Sequence, residues 1–191
     1  MDFDELLREA RLGEGQAFAE LWRRHAPRVA GFVRAGGARD VEEITSDVFT
    51  AAFGGIGRFE GDEAGFVALL MTIARRRVID ERRRRHRRVA IEPWQHDRDV
   101  TAAGSVEDDA VARVSVGELA EHLARLTQDQ REVVLLRLVG DLSLEQTATV
   151  MGKRVGTVKS LQRRGLDALR RSLAAHPQVT RPAVPERKPT S

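Results

Sequence analysis

Apolar residues recur at spacings of three and four along the N-terminal half of the chain, which is the pattern of amphipathic helices. Pro27 is predicted to mark a junction in this pattern, and Gly36 with Gly37 to end it. From Glu14 to about Arg88 the chain is therefore predicted to be helical. The first apolar stripe comprises Phe18, Leu21, Trp22, Val29, Phe32 and Val33.

A second stripe predicts a helix with one acidic face, which ends at the glycine-rich stretch from Gly54 to Gly57. Its apolar side carries Val41, Ile44, Val48, Phe49 and Ala52, and its acidic side carries Asp40, Glu42, Glu43 and Asp47. A loop from Arg58 to Gly61 follows, and Asp62 is the predicted N-cap of a third helix. That helix takes its apolar stripe from Phe66, Leu69, Leu70, Ile73 and Ala74.

The third helix continues into a dense run of cations. Its basic residues are Arg75, Arg76, Arg77, Arg82, Arg83, Arg84, Arg85, His86, Arg87 and Arg88. So many like charges repel one another unless a polyanion neutralises them, and nucleic-acid phosphate is the polyanion that this pattern favours. Apolar anchors on the same helix would fix these cations in register along a strand. For Arg85 to Arg88 a simpler interpretation stays open, because cations are favoured at the C-terminal end of a helix.

Residues 89–117 lose the helical periodicity and are predicted to form a linker. The periodicity returns at Leu119, Leu123 and Leu126, which open a second helical domain at residues 118–175. The tail, residues 176–191, contains four prolines and is predicted to be disordered. Two capping boxes predict helix starts in the second domain, Thr127 with Gln130 and Ser143 with Gln146.

The end of the second domain predicts a helix-turn-helix, with a short helix from Leu144 to Met151 and a turn at Gly152. The second helix starts at about Val155 and is predicted to bury Val158, Leu161, Gly165 and Leu169. Its other face presents Lys159, Ser160, Arg163 and Arg164, with Thr157 near the start. Such a helix enters the DNA major groove, where Lys and Arg pair with guanine and the first residues meet phosphate. Arg170 and Arg171 are interpreted as a solvated face.

Composition excludes several classes of protein. The 191 residues carry 32 Lys and Arg against 29 Asp and Glu, so the placement of charge matters more than its net value of +3. Without cysteine the chain forms no disulfide and no cysteine-ligated zinc site. No apolar run approaches the roughly 20 residues that span a bilayer, so we expect a cytoplasmic protein without membrane insertion. No nucleophile motif, phosphate loop or metal-ligand spacing is present, and we expect no catalytic residue, metal or cofactor.

In order and spacing, four segments resemble the extracytoplasmic-function group of bacterial RNA polymerase sigma factors, within the sigma-70 family. The segments are Asp40 to Phe49, Ile73 to Asp80, Leu126 to Val134 and Val155 to Ser160. The resemblance implies an all-α protein of two small helical domains. Residues 1–88 would bind core polymerase and melt the minus-ten promoter element, and residues 118–175 would read the minus-thirty-five element. It also implies that a flexible linker joins the two domains.

The resemblance implies site residues as well. Residues that would dock on the clamp helices of the largest polymerase subunit are Asp40, Glu43, Ile44, Asp47 and Val48. The loop from Arg58 to Asp62 would hold a flipped-out base. Residues of the minus-ten surface would be Arg58, Phe59, Asp62, Phe66, Arg75, Arg76, Arg77, Asp80, Arg83 and Arg84. Residues of the minus-thirty-five surface would be Thr157, Lys159, Ser160, Arg163 and Arg164. The implied partners are the clamp helices and flap of core RNA polymerase, double- and single-stranded promoter DNA, and an anti-sigma factor.

Two other functions stay open at this point. A stand-alone helix-turn-helix regulator would occupy its DNA unaided, with the N-terminal domain sensing a signal or dimerising. A nucleic-acid enzyme would use the acids from Asp40 to Asp47 with magnesium, but no second cluster completes such a site.

Overall fold

The structure, a computed structural model, describes residues 1–91 and 119–175. Every regular element in these two ranges is a helix, which confirms the all-α prediction. The N-terminal domain contains α1 (Phe3–Arg11), α2 (Gly15–Ala35), α3 (Val41–Gly54), a short 3₁₀ helix (Ile56–Arg58) and α4 (Glu63–Ile91). The C-terminal domain contains a helical segment at 119–124, then α5 (Gln128–Leu138), α6 (Leu144–Met151) and α7 (Val155–Ala174). Most of the predicted linker and all of the predicted tail lie outside the described residues.

Helix α1 was not predicted from the sequence. The Asp2 carboxylate caps it by accepting a hydrogen bond from the Glu5 amide at 2.8 Å. Its inner face is buried on α2 and the 3₁₀ helix, and the ring of Phe3 lies 5.7 Å from that of Phe66. Helix α1 thereby closes one side of the core of the N-terminal domain. The buried side chains of this helix are Phe3, Leu6, Leu7 and Ala10.

The prediction of a junction at Pro27 was wrong, because α2 runs through this residue without a break in the assigned helix. Proline removes one helical hydrogen bond and costs about 3 kcal/mol or more in a helix interior. Leu21 and Val29, on either side of Pro27, are both fully buried, and this burial holds the two halves of α2 to the same core. The predicted stop is confirmed, since Gly36 is the C-cap and Gly37 has a φ of +83°.

Both predicted capping boxes are confirmed in the C-terminal domain, Thr127 with Gln130 at the start of α5 and Ser143 with Gln146 at the start of α6. Gly152 ends α6 in the left-handed conformation, with φ +63°, and so makes the turn that leads into α7. Arg131 of α5 donates hydrogen bonds to the carbonyls of Leu123 and Ala124. This arginine therefore ties the segment at 119–124 to the rest of the domain.

Gly165 sets the separation between α5 and α7. A β-carbon at Gly165 would lie 3.0 Å from Cγ2 of Val134 and 3.3 Å from the carbonyl oxygen of Gln130. Because part of this obstacle is backbone, Gly165→Ala is expected to lower the free energy of unfolding by about 1–3 kcal/mol.

Urea denaturation of the full chain measures this effect, with Gly156→Ala in the same helix as the matched control. A β-carbon at Gly156 would meet no atom within 4 Å, so alanine there is expected to stabilise by up to about 1 kcal/mol through helix propensity. Equal stability changes in the two variants would contradict the packing role of Gly165.

The two domains contact each other directly. The guanidinium Nε of Arg75 on α4 lies 2.8 Å from Oε2 of Glu132 on α5. The side-chain amide of Gln146 on α6 donates to the carbonyl oxygen of Ala64 on α4 at 3.2 Å. In the same interface, a β-carbon at Gly31 on α2 would lie 3.4 Å from Cγ1 of Val139. The C-terminal domain is thus packed against α2 and against α4, and α4 is the helix that carries the arginine run.

Candidate nucleic-acid interface

Helix α7 buries one face and exposes a cationic one. Val158, Leu161, Gly165 and Leu169 are buried, as the sequence pattern predicted. Lys159, Arg163 and Arg164 are exposed, Thr157 is exposed near the helix start, and Ser160 is partly exposed. Residues at positions i and i+4 lie on the same helix face, so Lys159 and Arg163 form one row and Ser160 and Arg164 the next. The structure therefore brings all five predicted minus-thirty-five residues together on the free side of the helix-turn-helix.

The start of α7 adds one candidate that the sequence reasoning missed. Arg154 occupies the N-cap position, makes no side-chain capping hydrogen bond and is exposed. The first amide groups of a helix and an adjacent cation suit a phosphate. Next to it, Lys153 forms an ion pair with Asp129 of α5 at 3.0 Å, which fixes the turn to the body of the domain. The signal in the sequence was the Lys-Arg pair directly after Gly152.

The arginines of α4 divide into exposed and engaged groups. Among the predicted minus-ten residues of this helix, those exposed to solvent are Arg76, Asp80, Arg83 and Arg84. Arg75 is engaged by Glu132 of the other domain, and Arg77 lies 3.7 Å from the carboxylate of Asp47. Arg85 has a structural role, because it donates to the carbonyl of Gly37 at 3.0 Å and to Glu81 at 2.9 Å. Arg85 thus links α4 to the end of α2, a role that the sequence did not predict.

The loop from Arg58 to Asp62 is held from three directions. The ring of Phe59 packs edge-on at 5.6 Å from that of Phe66, and the guanidinium of Arg11 on α1 donates to the Phe59 carbonyl. The carboxylate of Asp62 accepts from the amide of Gly65 at 2.8 Å, which confirms Asp62 as the cap of α4. Arg58 projects into solvent. The loop is thus a braced structure that presents a cation, and the unpredicted helix α1 is one of its supports.

Phe66 itself is fully buried. The expectation that it lines a strand path is therefore corrected, because a side chain with no exposed surface cannot contact DNA in this conformation. Phe66 packs against Phe3 and Phe59 instead, and it also lies 5.6 Å from the ring of His25. Its role is to fix the base of the loop and the start of α4.

Helix α3 presents the acidic surface that the sequence predicted. Glu43 and Asp47 are exposed one turn apart, and Asp40 precedes the first residue of the helix. Ile44 is 8% exposed and Val48 is fully buried, so the expectation that Val48 contacts a partner is corrected. Both apolar residues lie on the core side of α3, where they hold the acidic row in place. The solvent-exposed part of this helix therefore includes the row of carboxylates.

A cavity of about 380 Å³ lies between the two domains, next to the Gln146 contact. His25 lines it and is almost fully buried, with Nε2 3.4 Å from the carboxylate of Glu63. Burial lowers the pKa of the His25 imidazole, and the Glu63 carboxylate opposes this effect only in part. The other charged residues around the cavity are Arg24, Arg28 and Asp141. Because cations and carboxylates are mixed around it, the cavity favours neither an anionic nor a cationic ligand.

Two features of the described residues bear on metal binding and on membrane insertion. Within residues 1–91 and 119–175, no group of three or more His, Asp or Glu side chains is arranged to hold a metal ion. None of the helices that the structure describes has the length and apolar character needed to cross a bilayer. Asp40, Glu43 and Asp47 therefore gain no partner from elsewhere in the described fold that would complete a metal site.

Comparison with known proteins finds the two domains separately. The family model for sigma-70 region 2 matches residues 21–88, and the model for sigma-70 region 4 matches residues 117–169. The first match contains most of α2, all of α3 and most of α4. The second contains the capping boxes and the helix-turn-helix. The first match ends at residue 88, and the second begins at residue 117.

Two relatives match across both domains. The chain is 34% identical to the ECF RNA polymerase sigma factor BldN of Streptomyces coelicolor over 88% of its own length, and it spans 65% of that relative. It is 32% identical to the ECF RNA polymerase sigma factor RpoE of Cereibacter sphaeroides, over 83% of this chain and 87% of the relative.

Two solved structures share the fold. The chain CnrH, solved in complex with the cytosolic domain of CnrY, superposes with a TM-score of 0.66 at 25% identity, over 90% of this chain and 96% of that one. The sigma factor RpoE of Bartonella quintana, solved with the anti-sigma factor NepR, gives a TM-score of 0.66 at 23% identity, over 83% and 98%. With its region 2 and region 4 domains in this order and with these relatives, the chain belongs to the ECF sigma factors of the sigma-70 family.

Proposed function

We propose that this protein is an alternative sigma factor, which binds core RNA polymerase and gives it promoter recognition and strand opening. The single observation that carries the proposal is the exposed cationic row of α7, Lys159 with Arg163, in a chain that also carries the arginine-rich helix α4. One helix suited to the major groove and a second, separate cationic helix on the same chain fit a factor that must bind both duplex and melted DNA.

In this mechanism α7 reads the duplex of the minus-thirty-five element. Lys159 and Arg163 reach base edges in the major groove, while Arg154 and Thr157 contact phosphate at the helix start. Ser160 and Arg164 form the neighbouring row on the same face. Phosphate contacts set the position of the helix, and the base contacts supply the sequence preference.

Strand opening is assigned to α4 and the loop before it. Unpairing costs a few kcal/mol per flipped base, which contacts to the captured strand must offset. Arg76, Arg83 and Arg84 are exposed along α4 and would follow the phosphates of the non-template strand. Arg58, at the tip of the braced loop, would meet a base that has left the stack. Phe66 and Val48 serve only as buried supports in this proposal.

The carboxylates of α3 are assigned to core polymerase. Glu43 and Asp47 offer an exposed acidic row on a rigid helix, which fits a basic partner surface such as the clamp helices. The C-terminal domain would contact the polymerase flap. The chain supplies no catalytic residue in this proposal, because the polymerase carries out the chemistry, and the complex works in the cytoplasm.

An anti-sigma partner completes the proposal. One structural relative was solved with an anti-sigma factor and another with the cytosolic domain of a second protein. We propose that a partner protein of this kind also binds the present chain and holds it inactive. Co-purification of the tagged protein from its own host tests it, with a small partner expected in stoichiometric amount.

Run-off transcription tests the proposed function. Purified core polymerase is given a library of templates with randomised promoters, with and without this protein. The protein is expected to select a family of templates that share two elements at a fixed spacing. A library that is transcribed identically with and without it would refute the proposal, and DNA occupied by the protein alone would favour a stand-alone regulator.

A further inference from the structure

We propose that Arg11 of α1 is a positioning residue for the loop from Arg58 to Asp62, and that it determines which base this loop prefers in the melted minus-ten strand. The inference rests on the proposed function, in which the loop meets a base that has left the stack. It adds a determinant of promoter sequence that lies in α1, ahead of the region 2 match at residues 21–88. Arg11 would act through the backbone of the loop and not through a contact with DNA.

The side chain of Arg11 joins α1 to a loop that is 48 residues away in the sequence. Its Nη2 donates a hydrogen bond to the backbone carbonyl oxygen of Phe59. The donor has a firm support, because Leu7 and Ala10, in the part of α1 that ends at Arg11, are buried in the core. A hydrogen bond from a charged donor is stronger than one between neutral groups. The carbonyl of Phe59 is therefore held towards α1.

The ring of Phe59 is held separately from its carbonyl. It lies 5.6 Å from the ring of Phe66, which is fully buried. It also covers Gly61, where a β-carbon would lie 3.2 Å from Cζ of Phe59. Gly61 has a φ of +150°, which residues with a β-carbon rarely adopt. Loss of the Arg11 contact would thus leave the ring in place while the peptide group that follows Phe59 gains freedom to rotate.

The peptide group between Phe59 and Glu60 connects the Arg11 contact to the open side of the loop. The C=O and N–H bonds of a trans peptide point in opposite directions, and every peptide bond in the described residues is trans. With the carbonyl held towards α1, the amide of Glu60 points away from α1. Glu60 is exposed, and within residues 1–91 and 119–175 its amide donates to no protein atom.

Such an amide suits a base that has left the stack. Flipped bases are recognised by hydrogen bonds to their Watson–Crick edge, and the four bases differ in where that edge presents an acceptor. A donor in one fixed direction therefore favours some bases over others, whereas a donor that rotates favours none. Arg11 supplies the fixed direction.

Selection from a promoter library tests this inference in the full chain with core polymerase. The library is randomised across the minus-ten element, and its minus-thirty-five element is fixed at the sequence that the wild type selects. Arg11→Met keeps the length of the side chain but removes the donor, and it is expected to reduce the preference at one minus-ten position by about three- to tenfold. The preferences at the other positions are expected to stay as in wild type.

Two further variants separate positioning from charge. Arg11→Lys retains a donor, and it is expected to restore most of the lost preference. Arg8→Met removes the same charge from another exposed position of α1, and it is expected to select the same sequences as wild type. Arg8 is therefore the matched control for the loss of a cation near the strand.

The outcomes decide between the alternatives. Wild-type preferences in Arg11→Met would overturn the inference, as would an equal loss of preference in Arg11→Met and Arg11→Lys. A uniform fall in transcription of all sequences, with preferences unchanged, would also overturn it and would indicate a phosphate contact. Absence of any selection by the wild type would instead reject the proposed function, and the inference with it.

Discussion

Replacing Lys159 and Arg163 together with alanine is expected to reduce transcription from a cognate promoter at least about thirtyfold while leaving the affinity for core polymerase unchanged. Each good contact of a cation with a guanine is worth roughly 1–3 kcal/mol, so the loss of two amounts to about 2–6 kcal/mol. Both side chains are exposed on the free face of α7, so their removal leaves the core of the domain intact. The helix-turn-helix still folds but no longer selects its site.

Run-off transcription and a polymerase pull-down measure the two parts of this prediction. The matched control is Arg170→Ala with Arg171→Ala, which removes the same amount of charge from the same helix beyond its DNA-facing half. Both of those residues are exposed, and Arg170 pairs with Asp167 on its own helix. A comparable loss of transcription in the control pair would show that net charge, and not the face defined by Lys159 and Arg163, governs promoter use.

Reversing the charge of Asp47 is expected to abolish stable association with core polymerase and, with it, all promoter-specific transcription. Asp47 lies in the exposed acidic row of α3, and a lysine there would place like charge against a basic partner surface, which costs several kcal/mol. Its carboxylate also lies 3.7 Å from Nε of Arg77. The reversal therefore introduces repulsion inside the domain as well as at the partner surface.

Two further variants separate these effects. Asp47→Asn removes the attraction without adding repulsion, and is expected to weaken polymerase binding by a smaller amount. Glu14→Lys changes charge by the same amount at an exposed position outside α3, and is expected to bind as wild type. Binding is measured by co-purification and by competition with a second sigma factor. Full retention of binding by Asp47→Lys would remove the assignment of α3 as the polymerase-binding surface.

The sequence predicted those parts of the fold that depend on local chemistry. The capping boxes at Thr127 and Ser143 and the turn at Gly152 each need only a few neighbouring residues, and all three are confirmed. The inward face of α7 was also correct, because an amphipathic helix repeats its apolar positions regularly. Residues on the outward face followed from the same repeat.

Parts that depend on tertiary contacts were missed or wrong. The helix from Phe3 to Arg11 was missed, although it has an N-cap at Asp2 and apolar residues at helical spacing. Pro27 was predicted to break a helix that the core holds together on both sides. Phe66 and Val48 belong to segments with functional surfaces, yet their own side chains are fully buried. A motif match identifies a segment, whereas burial decides which of its residues can touch a partner.

The contact between the domains could not be predicted from either domain alone. Arg75 and Glu132 are far apart along the chain, and in the sequence each is only a charged residue on a predicted helix. Their pairing depends on how the two domains pack, and no local pattern encodes that arrangement.

Promoter opening is expected to need this chain and core polymerase together, so that neither one alone opens the DNA. Permanganate reactivity of unpaired thymines on a promoter taken from the selected library tests it most directly. We expect reactive thymines at the minus-ten element only when both proteins are present, and a strongly reduced reactivity with Lys159 and Arg163 replaced by alanine at limiting polymerase. Reactive thymines with core polymerase alone, or an undisturbed duplex when both are bound, would contradict it.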